Sequence, residues 1–245
     1  MKFSHLFFVF FLVVSSQLNA QQEASNWYFG VGAGLSFPSS NSDPVSLNNG
    51  RLQTLEGSTS ISDRNGNLLF YTDGTVVYDK THNIMQNGNS LKGDISTTQS
   101  AIIVPRPANP GRYFIFTVDK PDYYLTPGNP IEGVNFSEVD MSLNNGNGAI
   151  INGQKNIHLV TYNPSNSLQN EFKSSEKITA VIAGDCSSYW VVTQFMDKFY
   201  SFRVSSSGVD PNPVISDISN NFAPILDDQE INITSRGYLK ISPDG

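Results

Sequence analysis

The 245-residue chain has a single cysteine, Cys186, so no disulfide can form within it and packing must supply its stability. Only 15% of residues are charged, and the 15 Lys and Arg against 22 Asp and Glu leave a net charge of −7, which excludes a basic nucleic-acid binder. After the first twenty residues no apolar run approaches the ~20 residues that span a bilayer, so no membrane insertion is expected of the mature chain. Three histidines and one cysteine, far apart in sequence, do not make a zinc site, and no metal or cofactor is expected. Amphipathic helical periodicity is also missing from every window longer than about ten residues.

What is present is polar but uncharged, including 25 asparagines, together with a 38% hydrophobic share sufficient for a core. Residues 1–20 carry Lys2, an apolar stretch from Leu6 to Val14 and a polar region ending at Ala20, the pattern of a secretory signal peptide. Residues 21–245 are read as one partial domain, truncated at the C-terminus, that is exported to the extracellular space or the outer cell surface. Cys186 falls in AGDCSSYW, where a turn and an inert thiol are expected.

Short runs rich in Val, Ile, Phe, Tyr and Thr recur between clusters such as DRNGN, NPGR and SSSG, which suit tight turns. Three of the runs share a register of four apolar residues followed by a threonine, at Thr72, Thr117 and Thr193. Each is preceded by another apolar run, at residues 58–62, 100–104 and 178–182, and followed by a third, so that one unit reads as an antiparallel meander. Thr72 and Thr117 are 45 residues apart, about one propeller blade, whereas the 76 from Thr117 to Thr193 call for extended loops at 120–133 and 142–156. The expected fold is all-β: a β-propeller of four-stranded antiparallel blades, here an incomplete ring of about four to five blades out of seven or eight. Asn26 to Gly30 would serve as an outer strand that closes the ring.

The strings WYFG, GLSF, SISDRNGNLLFYTDG, VVYD, TTQSAIIVPRP and NPGRYFIFTVD carry a resemblance, continued by VNFSEVDM, EKITAV, YWVVTQF, FYSFRVSSSGV and GYLKISPDG. They resemble the N-terminal propeller region of large secreted Bacteroidetes proteins, which often end in gliding-motility-associated or type IX secretion sorting domains. The resemblance covers most of residues 26–245. It implies a seven- or eight-bladed ring and an exported or surface location, and the SPDG ending is similar to WD-type propeller repeats.

No catalytic residues are expected. The string around Ser58 lacks the second glycine of a hydrolase elbow, and Gly30, Gly32 and Gly34 precede no helix that could hold a phosphate. Glu138 with Asp140, or Asp227, Asp228 and Glu230, could supply acid and base or a calcium ion, but solvated edges and loops explain them better. Asp63, Asn65 and Asn67 read as a hairpin turn. Ligand contact falls to Tyr123 and Tyr124, aromatic residues in a long loop, and to Thr97, Thr98 and Gln99, expected to line a central channel. The expected role is a non-catalytic binding, adhesion or scaffold module at a bacterial surface, with glycans or surface proteins as partners. The alternatives are a secreted polysaccharide hydrolase or lyase using acidic residues at the channel mouth, and a structural spacer in a larger surface protein.

Overall fold

A computed structural model describes residues 22–38, 42–121, 131–218 and 234–242. The leader segment, Tyr123, Tyr124, Asp227, Asp228 and Glu230 lie outside the described residues. The first sheet holds β1 (Asn26–Phe29), β2 (Ala33–Ser36) and β3 (Val45–Leu47), and the second β4 (Thr59–Ser62), β5 (Leu68–Thr72) and β6 (Val77–Asp79). In the third, β7 (Ala101–Pro105), β8 (Arg112–Val118) and β9 (Val134–Asp140) are joined by β10 (Ala149–Ile150) and β11 (Ile157–Leu159), which both pair with β9. A one-and-a-half-turn helix, α1 (Ser167–Phe172), leads to the fourth. There β12 (Ile178–Ile182), β13 (Tyr189–Phe195) and β14 (Lys198–Ser205) carry β15 (Gly208–Val209) and β16 (Val214–Asp217) on one edge. Every ladder between strands is antiparallel and follows chain order through the first three strands of each sheet. Among the described residues no helix is long and apolar enough to cross a membrane.

Turn chemistry explains where the strands stop. Asp63 Oδ1 accepts the backbone N–H groups of Asn65 and Asn67, both at 2.9 Å, and Gly66 takes φ +83°, so the DRNGN string closes β4 onto β5 as expected. Cys186 also sits in its expected turn, exposed and with φ +53°.

The threonine register holds. Thr72, Thr117 and Thr193 are each buried in the second strand of their sheet, opposite Thr59, Ala101 and Ile178 of the first. Three apolar clusters fill the spaces between the four sheets, in order. Tyr28 meets Tyr71 between the first and second, and Phe70 and Val77 meet Ile115 and Val139 between the second and third. Phe114, Phe116 and Phe136 meet Val191, Tyr200 and Phe202 between the third and fourth. Full burial of each such side chain contributes about 1.5–3 kcal/mol, and this burial does most to hold the sheets face to face.

The first strands stand beside one another, β1 next to β4, β4 next to β7 and β7 next to β12. This corrects the expectation for Asn26 to Gly30. That segment opens its own sheet because alternation along β1 turns Tyr28 onto Tyr71, at 4.4 Å between ring centroids, and its backbone pairs with β2. The extra residues between Thr117 and Thr193 do more than lengthen loops, since they also build β10, β11 and α1.

Candidate functional site

The antiparallel order gives the sheets two distinct ends. At one end lie the segments leading into the first strands, residues 56–58, 97–100 and 174–177; at the other lie the turns between first and second strands.

At the lead-in end Thr97, Thr98 and Gln99, expected to line a central channel, bond neighbouring chain segments, Thr97 through its carbonyl while its hydroxyl is buried without a partner. Thr97 is fully buried, and its carbonyl accepts the Gly57 N–H at 3.0 Å. Thr98 donates to Glu176 Oε2 from its backbone N–H at 3.0 Å and from its hydroxyl at 2.7 Å. Gln99 behaves as an extra peptide group. Its Oε1 accepts from the N–H groups of Ile178 and Leu239, and its Nε2 donates to the Leu239 carbonyl at 3.1 Å. Together they tie the third sheet to its neighbours, and Gln99 also ties it to Leu239. Lys177 donates to Gln194 Oε1 and to the Thr234 carbonyl, both at 2.8 Å, and burial pushes its pKa down. Asp119 at the same end has its pKa raised by burial, although it accepts the Glu132 and Lys120 N–H groups.

At the turn end a cleft of about 400 Å³ opens between the third and fourth sheets. Pro107 and Ala108 form one wall, and Asp185, Ser187, Ser188, Arg203, Ser205, Ser206 and Asp210 form the rest. The arrangement follows from the turns. Asp185 Oδ1 accepts the N–H groups of Ser187 and Ser188, which fixes the turn after β12, and its Oδ2 meets Arg203 Nη2 at 2.5 Å. The Ser187 N–H, the Ser188 hydroxyl and Arg203 together hold the Asp185 carboxyl down at about 2. Arg203 also lies over the Trp190 ring, 5.9 Å from its centroid.

Arg106 sets the spacing of the two sheets there. Its Nε and Nη2 donate to the Ser206 carbonyl at 3.1 and 2.9 Å, while Nη1 reaches Glu138 Oε1 at 2.7 Å. Glu138 is buried and takes a second guanidinium, Arg112, at 3.2 Å; Arg112 also reaches Asp140 at 2.9 Å. A Ser142 hydroxyl bond and Arg112 hold the Asp140 pKa low. Glu138 and Asp140 do share one face of β9, but as a buried ion network and not as a solvated edge, because the β7–β8 turn and the start of β8 bring two arginines onto them. Among the described residues no group of three or more His, Cys, Asp or Glu is placed to hold a metal ion.

The cleft was not legible in the sequence because its walls come from three turns far apart in the chain. The one available signal was the Asp-x-Ser-Ser string at 185–188, whose turn leaves Ser187 exposed while the buried Ser188 bonds Asp185. No family model matches the chain, and neither a curated protein nor a solved structure matches it significantly.

Proposed function

We propose that the chain is a sector of an exported bacterial β-propeller and acts as a non-catalytic binding module, contacting glycans or surface proteins in adhesion or assembly. Four antiparallel meanders in chain order, packed face to face with their first strands side by side, support the propeller reading. The resemblance to secreted Bacteroidetes propellers supports export and a place at the cell surface, with gliding motility and type IX secretion as its setting.

The cleft carries the binding reading. It offers serine hydroxyls, the Arg203 guanidinium and the Asp210 carboxylate from turns held by their own hydrogen bonds, a set suited to a hydroxyl-rich ligand such as an oligosaccharide. Glu138 and Asp140, which polysaccharide hydrolysis would need as acid and base, spend their charge on arginines, which favours binding over turnover.

Glycan-array binding by the whole chain tests this reading. Arg203→Ala and Asp210→Ala are expected to weaken retention of a bound glycan at least about tenfold with circular dichroism unchanged. Unchanged retention in both variants, or no retained glycan at all, refutes the assignment of the cleft.

A further inference from the structure

The sequence holds six Asn-Gly pairs, beginning at Asn49, Asn65, Asn87, Asn145, Asn147 and Asn152. In such a pair the glycine nitrogen can attack the side-chain amide carbon of the asparagine, because no Cβ shields it. Folding decides which pair reacts. The nitrogen must turn toward that carbon, and an N–H held in a hydrogen bond resists the motion by the cost of leaving the bond unmade.

Five of the six are held in this way. The Gly50 N–H donates to the Gly32 carbonyl at 3.2 Å, Gly66 to Asp63 at 2.9 Å, Gly88 to Met85 at 2.7 Å, and Gly146 and Gly148 both to Leu143 at 3.1 Å. The Gly153 N–H has no hydrogen-bond partner among the described residues. Space separates the pairs in the same order. A Cβ on any of the other five glycines would meet a neighbouring atom within 4 Å, whereas one on Gly153 would meet none. The local turn is the cause. The Gln154 N–H closes onto the Ile151 carbonyl at 3.0 Å and Gly153 takes φ +77°, so the two central residues, Asn152 and Gly153, are exposed. The Asn152 side chain accepts only a long bond, 3.5 Å, from Asn87 Nδ2.

We propose that Asn152 is a self-modification site, the asparagine that deamidates first in the folded chain. The Gly153 nitrogen bonds to Asn152 Cγ, and the side-chain nitrogen leaves as ammonia, taking the Gly153 N–H proton with it. Water then opens the resulting succinimide at either carbonyl, which gives aspartate or isoaspartate. Water is the only co-reactant and nothing is oxidised or reduced. Both products add a negative charge to the turn, and isoaspartate also adds one carbon to the main chain. That carbon falls between the two backbone bonds that hold Glu138, from the Ile151 N–H to its carbonyl at 2.9 Å and from its N–H to the Gln154 carbonyl at 2.8 Å. The site does not rest on the binding role proposed for the cleft.

The test incubates the whole chain at mildly alkaline pH, folded and in parallel in guanidinium chloride, and follows each asparagine by peptide mapping with fragmentation. In the folded chain Asn152 is expected to convert at least about tenfold faster than the other five, which corresponds to about 1.4 kcal/mol of barrier, and in denaturant the six should convert at similar rates. Gly153→Asn, which tolerates the positive φ but puts a side chain beside the attacking nitrogen, should slow Asn152 conversion by a similar factor with circular dichroism unchanged. The proposal is overturned if Asn152 stays intact in the folded chain over the time in which the denatured chain loses it. It is also overturned if another of the six converts as fast in the folded chain, or if folded Gly153→Asn converts at the wild-type rate.

Discussion

His82 shows how one side chain can tie a sheet boundary to pH. Tyr28 Oη donates to Asn49 Oδ1 at 3.2 Å, which orients the amide so that Asn49 Nδ2 donates to His82 Nε2 at 2.8 Å. The imidazole must therefore be neutral at Nε2, and its Nδ1 faces Tyr71 Oη at 3.0 Å. Burial, reinforced by the Arg51 charge and opposed by Asp79, pushes its pKa below the ordinary value. A folded-state pKa below the unfolded one gives stability that is present above the unfolded value, about 6.5, and is lost as pH falls toward the folded one. Stability measured by urea unfolding should drop between pH 7.5 and 5.5, by no more than about 1.4 kcal/mol per pH unit for one proton. His82→Asn, which tolerates the residue's φ of +63°, should flatten that slope and leave the part due to His158, whose pKa burial also lowers. An unchanged slope would refute the neutral-imidazole assignment. At this scale the sequence was most legible where side chain and backbone interact locally, as at Asp63 and in the Cys186 turn. It was least legible for Glu138, whose two arginine partners are set by strand pairing.

Each sheet depends on where its first strand begins, and there glycines allow the lead-in segments to touch. A Cβ on Gly57 would lie 2.5 Å from Ser100 N and 2.7 Å from the Thr97 carbonyl oxygen, both backbone atoms that cannot swing aside. Gly57→Ala must then push the second and third sheets apart at the point where the Gly57 N–H bonds Thr97. The expected cost is about 1–3 kcal/mol in chemical denaturation, the range for overpacking a filled site. A loss below about 0.5 kcal/mol, the level of an ordinary surface substitution, would show that the contact can relax. Strand positions were readable because four apolar residues before a buried threonine require both faces to be covered. The place of β1 was not, since a three-residue aromatic run fits an inner or an outer strand equally well until Tyr28 finds Tyr71.

Among the described residues the four sheets form a row in which each packs on its neighbours, through three separate apolar clusters. Its two outer faces differ from the inner ones. Trp27 and Phe29 point away from the second sheet and are 50% and 38% exposed, and Trp190, Val192 and Phe199 of the fourth sheet belong to none of the three clusters. That order was legible from the spacing of Thr72, Thr117 and Thr193, but the facing partners were not, because contacts between sheets join residues far apart in the chain, such as Tyr28 with Tyr71 and Phe70 with Tyr113. A row with contacts only between neighbours should transmit damage over a short range, much as stacked repeats do. Phe202→Ala removes a fully buried ring between the third and fourth sheets, at an expected cost of about 3–5 kcal/mol. Amide hydrogen exchange should then accelerate in β7–β9 and β12–β14, while β4–β6, held by the Phe70 and Tyr71 clusters, keep most of their protection. Equal acceleration in all four sheets would instead mean that the row opens as one cooperative unit, and the neighbour-only account of its stability would be wrong.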